Sequence, residues 1–356
     1  MRINLGVLPW ASLDSPLTLG RVTYIPWSQH REQVQDAALQ DHIDKFLSVF
    51  KSHGIMEDGS LAKVDPAIVL IDGNIDIQPD QQELFFRTIN LLFFLVTSWD
   101  NMTYINNNAF EGFIQPLETG KFNYVFGPLR SLTIADFTEI TITQPTNALG
   151  ISRAFGIVRN KSYVQALERL QTSRKYGRIV DASLSFYRLA HDDHYAMNDY
   201  LKLGFLISAF ETLFGGVSRK ETVILEIEKQ AISKKRMVVF DRSQKKRRGL
   251  SRAAGVVFKA YDSRNGYLHN GEQRGLGVKL DGENLSLWSL TAYAYEQCLL
   301  KRLEDWKILK WDKFERYFLW DSRFDSRVKT IVEKARSRRE YINKKMEKER
   351  AQRKGK

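Results

Sequence analysis

The chain has 356 residues, and its 54 Lys and Arg against 42 Asp and Glu give a formal net charge of +12. An apolar fraction of 43% and a charged fraction of 27% are typical of a globular protein and exclude a wholly disordered chain. The single cysteine, Cys298, excludes an internal disulfide and a cysteine-based zinc site.

The charge is distributed unevenly along the chain. Residues 1–150 hold 9 basic and 17 acidic side chains, a net of −8, whereas residues 151–356 hold 45 and 25, a net of +20. Two tracts, 229–252 and 327–356, each carry +9. Such a split predicts different partners for the two parts, with a polyanion for the second.

No segment has the pattern of a membrane anchor or a secretion signal. The apolar run Leu91 to Val96 is too short to span a bilayer. The first sixteen residues lack the uninterrupted apolar stretch of a signal peptide. We therefore expect a cytoplasmic protein with no membrane partner.

The first part of the chain predicts an α+β domain over residues 1–157. Apolar residues at helical spacing predict helices over 39–50 and 81–99. Short apolar or alternating runs predict strands over 67–71, 122–126 and 139–143. No glycine-rich phosphate loop and no side-chain cluster with metal-ligand spacing is present, so the sequence assigns this domain no chemistry.

From about residue 158 the pattern becomes almost entirely helical. Helices are predicted over residues 162–172, 199–214, 221–234, 250–269 and 285–311. Gly215-Gly216 is a helix-stop signal after the second of these. The predicted fold is therefore multidomain: the α+β domain, an all-α bundle over 158–325, and a basic, helix-prone tail over 326–356.

The first basic tract offers candidate contacts to a polyanion. Five of its side chains are the candidates for RNA binding: Lys245, Lys246, Arg247, Arg248 and Arg252. The alternative interpretation of residues 245–248 is a solvated loop between helices, and that of the tail is a solvent-exposed helix.

The segment Phe258 to Glu272, FKAYDSRNGYLHNGE, contains the residues best suited to chemistry. Arg264 presents a planar fork of donors that fits phosphate oxygens. His269 belongs to the residue type whose unperturbed pKa, about 6.5, lets it take and give protons near neutral pH. Asn265 can orient either one by hydrogen bonds. Together these residues supply what phosphodiester transfer needs without a metal, so no cofactor is expected.

The spacing of these residues raises a geometric problem. Asn265 and His269 are four residues apart and share a helix face. Arg264 and His269 are five apart, so roughly 140° separates them on a straight helix. Convergence then requires Arg264 to lean across, Gly266 to loosen the helix, or two copies to meet at a symmetric interface.

A purely structural interpretation of the same residues is also available. Arg264 could pair with Asp262 or Glu272, and His269 could be a helix-end residue that the dipole favours. Gly271 would then be an ordinary glycine after a helix.

The run Tyr261-Asp-Ser-Arg-Asn-x-x-x-His-x-Gly271 resembles the signature of HEPN domains, especially the Apea-like HEPN group of bacteria. The upstream segment LISAFETLFGG, Leu206 to Gly216, resembles the family's first conserved helix, with Glu211 at its acidic position. The resemblance covers about residues 195–310 and excludes the N-terminal domain and the tail. Glu211 is expected to have a structural role within the bundle.

The resemblance implies a helical bundle that forms a homodimer and places two R-N-x-x-x-H motifs in one cleft. Active relatives are metal-independent endoribonucleases, so His269 is expected as general acid/base, Arg264 as stabiliser of phosphate charge and Asn265 as their support. Many relatives are toxins or effectors of anti-phage defence, in which an accompanying domain senses a trigger or binds a regulatory protein. A non-catalytic scaffold that binds nucleic acid is the alternative.

Two further features have a plainer explanation. Residues 191–194, HDDH, offer four metal-capable side chains, but their spacing fits no known metal pattern, so a charge cluster at a helix end is the better interpretation. The aromatic residues of 285–311 could stack on bases, yet their helical spacing favours core packing for most of them.

Overall fold

A computed structural model describes residues 4–9, 11–13, 15–19, 22–55, 61–63, 67–71, 79–99, 112–116, 122–126, 130–134, 142–143, 155–156, 161–173, 175–191, 198–216, 219–242, 244–310 and 323–354. Within it the chain divides into two compact units, Met1–Met197 and Asn198–Lys356. Each unit has its own core and is described separately.

The first unit mixes strands and helices, as the sequence predicts for most of its length. Its strands are Asn4–Leu8 (β1), Ala11–Ser12 (β2), Leu17–Leu19 (β3), Val22–Pro26 (β4), Phe50–Ile55 (β5), Leu61–Lys63 (β6), Ala67–Ile71 (β7), Phe113–Pro116 (β8), Phe122–Phe126 (β9), Arg130–Ile134 (β10), Ile142–Thr143 (β11) and Phe155–Gly156 (β12). Its helices are Trp27–His30 (α1), Ala37–Ser48 (α2), Pro79–Trp99 (α3), Lys161–Thr172 (α4) and Gly177–Leu189 (α5), with a 3₁₀ turn at Arg31–Gln33.

The main sheet of this unit has the strand order β3-β4-β7-β1-β8. Every neighbouring pair in it is antiparallel, and β1 lies between β7 and β8, with Asn4 opposite both Ile71 and Pro116. The smaller pairings are β9 with β10, β5 with β6 and β11, and β2 with β12.

Helix α3 packs directly against the sheet residues of the first unit. A Cβ atom at Gly6 would come 2.9 Å from the ring of Phe85, and one at Gly112 would come 2.3 Å from Ile89. Glycine at these positions therefore lets the backbone approach the helix closely. Helix α5 packs on α3 in turn, where the rings of Phe93 and Tyr187 lie 5.9 Å apart.

The second unit is built from five long helices in its described part. They are Asp199–Leu213 (α6), Lys220–Gln230 (α7), Arg252–Asn270 (α8), Leu287–Asp305 (α9) and Arg323–Lys354 (α10). Helix α8 packs against α6, α7 and α9, and its residues from 252 to 258 are all buried. The predicted stop after α6 is confirmed, since Gly215 and Gly216 have φ of +99° and +71°.

The prediction of an all-α second part is wrong in one respect, because two β-hairpins interrupt the helices. They pair Arg236–Asp241 (β13) with Lys246–Ser251 (β14), and Gly277–Leu280 (β15) with Glu283–Ser286 (β16). The charged sequence of β14, KRRGLS, looks like a loop because only Leu250 and Ser251 of that strand are buried. On the inward side of β13, Val239 is buried and Met237 lies against Gly255 of α8, and these contacts hold the pair on the helix.

The beginning of α10 is docked on the second unit. Phe324, Val328 and Val332 are buried, and Arg327 lies 3.6 Å from the buried carboxylate of Glu296. The Asp325 carboxylate accepts hydrogen bonds from the Ser233 hydroxyl and from the backbone N–H groups of residues 234 and 235, at 2.7 to 3.0 Å. Beyond about residue 335 the helix is largely exposed up to residue 347.

The unit boundary at residues 197 and 198 lies close to the start of the segment that carries the HEPN resemblance. The predicted domain boundary after residue 157 lies outside the described residues. Helices α4 and α5, which the sequence places in the second domain, pack with α3 in the first unit. No helix in the described part of the chain is long and apolar enough to cross a membrane.

Replacing Asp325 with alanine should loosen the first turns of α10. Three hydrogen bonds to a largely buried carboxylate are lost, which we expect to cost about 2 kcal/mol of local stability, or roughly 30-fold faster amide exchange over residues 328–332. Hydrogen–deuterium exchange of the full chain measures this. The control is Glu333→Ala on the same helix, whose exposed ion pair with Lys329 contributes little. Equal exchange in the two variants would contradict the docking role of Asp325.

Candidate active site on helix α8

Local sequence signals define both ends of α8. The Ser251 hydroxyl accepts a hydrogen bond from the backbone N–H of Ala254 at 3.3 Å, which caps the first turn. Gly271, with φ of +65°, ends the helix, and its N–H donates to the carbonyl of Tyr267 at 3.0 Å. Arg264, Asn265 and His269 therefore all lie in the last two turns of one helix.

The Arg264 side chain is half-buried beside α6. A Cβ atom at Gly204 of α6 would lie 3.9 Å from Arg264 Cγ, an ordinary van der Waals distance, so the arginine stem passes beside this residue. Arg264 Nη1 donates a hydrogen bond to Asn265 Oδ1 at 3.1 Å. Asn265 thus orients the guanidinium, one of the two roles predicted for it. Arg264 Nε is buried and has no acceptor among the described residues.

The carboxylates that the structural interpretation offered to Arg264 are engaged by other cations. Asp262 pairs with Lys220 at 2.7 Å, and the same ammonium group lies over the Phe258 ring, 3.2 Å from its centroid. Glu272 pairs with Arg274 at 2.6 Å. Within the described ranges, Arg264 has no carboxylate partner, so its positive charge is available to an external anion.

His269 is exposed in the last turn of α8. The helix remains continuous through Gly266, against which the Arg274 side chain lies, so Gly266 does not loosen it. Arg264 and His269 are therefore separated by roughly 140° around the axis. The hydrogen bond to Asn265, which shares a face with His269, turns the guanidinium of Arg264 part of the way towards that face. A leaning arginine and two copies therefore both stay predictions.

Glu211 has the structural role predicted for it. The Tyr261 hydroxyl donates to Glu211 Oε1 at 3.0 Å, which joins α8 to α6. Burial, and next the charge and hydrogen bond of Glu211, raise the pKa of Tyr261 well above its ordinary value. The tyrosine therefore stays protonated and donates throughout the neutral range.

The five candidate RNA-binding residues fall into two groups, those held in ion pairs and those that are exposed. Arg252 is only 6% exposed and donates to both carboxylate oxygens of Asp281, at 2.8 and 3.1 Å. Arg248 is held by Glu221 and Asp241. The charges of these two arginines are engaged by carboxylates within the fold, which leaves them less available to RNA than the prediction requires.

The other three, Lys245, Lys246 and Arg247, are exposed and have no ion-pair partner in the part of the chain that the structure describes. They lie at the turn and on the outer strand of the β13–β14 hairpin rather than in the loop that the alternative interpretation predicted. They stay candidates for a polyanion.

Sequence reasoning missed the residues that support the site from outside the motif. The rings of Tyr200 and Tyr267 stack at 4.5 Å with an interplanar angle of 6°, and Asn198 donates to the Tyr267 hydroxyl at 2.8 Å. Lys220 and Arg274, which neutralise the neighbouring carboxylates, carried no sequence signal because their partners are set by tertiary packing.

The structure bears differently on the aromatic residues of 285–311 and on the cluster at residues 191–194. Tyr293 and Tyr295 are completely buried, which confirms core packing for them. Of residues 191–194 only His191 is described; it is buried with its Nδ1 2.9 Å from the Tyr187 carbonyl, and the rest of that cluster lies outside the described residues. Among described side chains, no group of three or more His, Cys, Asp or Glu is arranged to hold a metal.

Comparison of the chain with models of known protein families, with curated protein sequences and with solved structures gave no match.

Tyr261→Phe should remove the α6–α8 hydrogen bond and destabilise the protein by about 1.5 kcal/mol at pH 8. Because the folded state raises the pKa of Tyr261, this contribution is present below the unfolded value of about 10 and is lost as the pH rises above it. Thermal unfolding between pH 8 and 11 should therefore show the wild-type advantage shrinking. Tyr341→Phe, on an exposed ring, is the matched control. A wild-type advantage that stays constant over this range would contradict the assignment.

Proposed function

We propose that the protein is a metal-independent endoribonuclease of the HEPN type, acting as a homodimer. The observation that carries the proposal is that Arg264 has no carboxylate partner among the described residues. It lies one residue before an orienting asparagine and five before an exposed histidine, and the nearby carboxylates that could neutralise it are paired with Lys220 and Arg274.

The residues fit cleavage of RNA by its own 2′-hydroxyl. In this reaction the 2′-oxygen attacks the adjacent phosphorus, the bond to the 5′-oxygen breaks, and one proton leaves the attacking oxygen while another reaches the leaving oxygen. His269 takes or supplies these protons, and Arg264 stabilises the extra negative charge on the phosphoryl oxygens. DNA lacks the nucleophile and is spared.

In the proposed homodimer, Arg264 and His269 come together from two protomers, which one helix does not achieve by itself. Because Arg264 and His269 face directions about 140° apart, the Arg264 of one protomer and the His269 of its partner can meet at a two-fold axis. The face of α6 that Arg264 borders is half-exposed and mostly small or apolar, and it fits such an interface; its residues are Leu201, Gly204, Phe205 and Ser208.

The biological role we propose is that of a toxin-like effector of anti-phage defence in the cytoplasm. It rests on the HEPN resemblance of residues 195–310. The acidic first 150 residues, net −8, are poorly suited to gripping RNA. We therefore assign to the first unit the binding of a trigger or of a regulatory protein.

The full chain should cleave single-stranded RNA in the presence of EDTA. His269→Ala should lower the cleavage rate by about 10²- to 10⁴-fold and Arg264→Ala by about 10²- to 10³-fold. The controls are His30→Ala and Arg178→Ala, which remove a histidine and an arginine of the first unit. Activity that needs a divalent metal, or that survives His269→Ala, would overturn the proposed chemistry.

Mixing the two inactive variants tests the composite site. In a heterodimer of Arg264→Ala with His269→Ala, one intact arginine faces one intact histidine across the interface. We therefore expect cleavage to reappear on mixing after subunit exchange. If each protomer used its own pair, the mixture would be as inactive as its components, and the dimeric site would be excluded.

The alternative of a non-catalytic binding protein is favoured by one observation: Lys245, Lys246 and Arg247 are exposed and have no ion-pair partner among the described residues. It predicts binding that weakens steeply with salt and no cleavage at any protein concentration.

A further inference from the structure

The β13–β14 hairpin exposes a face that is both aromatic and basic. Along β13 the side chains of Arg236, Val238 and Phe240 point outward, while Val239 and Asp241 are buried. Phe240 is 55% exposed and Val238 is 65% exposed, values unusual for large apolar side chains that lie next to each other on one strand face. Nothing in the cleavage chemistry explains why this face is apolar.

Register places a cation beside the exposed ring. Phe240 is opposite Arg247 and Val238 is opposite Gly249, so these four residues share the outward face. A Cβ atom at Gly249 would contact no described atom within 4 Å, so the described surface beside Val238 is open. Arg247 and Lys245 are exposed and have no ion-pair partner within the described ranges, whereas Lys246 is opposite Asp241 and belongs to the other face.

The opposite face of the hairpin holds this surface rigidly on the helix that carries the motif. Met237 lies against Gly255 of α8, where a Cβ atom would come 2.4 Å from the methionine sulfur. Ser251, the last residue of β14, caps α8. From Ser251 to Arg264 the helix advances about 20 Å, so the hairpin surface and the proposed catalytic residues are fixed at two ends of one rod.

We infer that the hairpin face is a binding site for single-stranded RNA, in which a base stacks on Phe240, and Arg247 and Lys245 contact the flanking phosphates. The inference rests on the proposed function and gives the substrate a second contact away from the cut. Exposed aromatic rings among basic side chains bind single strands because every base presents a π-face and every linkage a charge. A lipid surface needs an apolar side chain rather than a π-face, so an aliphatic replacement of Phe240 separates lipid from RNA.

The test measures binding by the full chain, with His269→Ala present so that RNA is not consumed. The probes are a fluorescein-labelled 15-nucleotide oligouridine, which has bases, and a labelled polyphosphate, which has charge alone. Phe240→Ala should weaken oligouridine binding about 10-fold and leave polyphosphate binding unchanged. Arg247→Ala should weaken both, and Phe240→Trp should bind oligouridine at least as tightly as the parent.

Two further variants make the result specific. Phe240→Leu keeps an apolar side chain without a π-face and should behave like Phe240→Ala. Leu225→Ala removes an exposed apolar side chain from α7 and should bind like the parent. Far-ultraviolet circular dichroism checks that each variant is folded.

The inference is overturned if Phe240→Ala or Phe240→Leu binds oligouridine like the parent, or if Phe240→Ala weakens polyphosphate binding equally. It is also overturned if only vesicles of anionic lipid show dependence on Phe240. Ring-dependent binding of RNA by a wild-type chain that cleaves nothing would support this site and refute the proposed nuclease. RNA cleavage together with oligouridine binding that does not depend on Phe240 would support the nuclease and refute this binding site.

Discussion

The second unit depends on the continuity of helix α8, from Arg252 to Asn270. Its first half is buried against α6, α7 and α9, so its position and rotation are fixed by packing. That rotation decides that Tyr261 meets Glu211, that Arg264 lies beside Gly204, and that His269 is left exposed at the end. Because Gly266 does not break the helix, Arg264 and His269 leave its axis in directions about 140° apart, and the homodimer that we propose would bring an arginine and a histidine from two protomers together.

The charged side chains around α8 fall into two groups: those held in ion pairs within the fold, and those that could bind an external anion. Asp262, Glu272 and Asp281 each have a cation, and these cations are Lys220, Arg274 and Arg252. The net charge of +12 therefore includes many side chains that already serve the fold. Among the described residues, Arg264 and the basic side chains at the tip of the β13–β14 hairpin have no carboxylate partner, and these are the two places where we propose that RNA is bound.

The sequence predicted the elements whose pattern is local. Helices α6 and α8 lie within a few residues of their predicted ranges, since apolar spacing and stop signals such as Gly215 are visible in the chain, whereas α9 ends six residues before its predicted end at residue 311. The sequence did not predict the β13–β14 hairpin because β14 is a run of charged residues without an alternating apolar pattern. It forms a strand because it pairs with β13. Likewise the motif residues were visible, but the ion pairs that leave Arg264 available, and those that occupy Arg248 and Arg252, depend on residues distant in sequence.

The identity of the product ends tests the central claim most directly. The proposed chemistry transfers the phosphodiester to the neighbouring 2′-oxygen, so mass spectrometry of RNA cleaved by the full chain in EDTA should find 2′,3′-cyclic phosphate and 5′-hydroxyl ends. A single 2′-deoxy substitution should block cleavage at that linkage alone. Products with 3′-hydroxyl and 5′-phosphate ends, or cleavage that ignores the 2′-deoxy substitution, would contradict the roles proposed for Arg264 and His269.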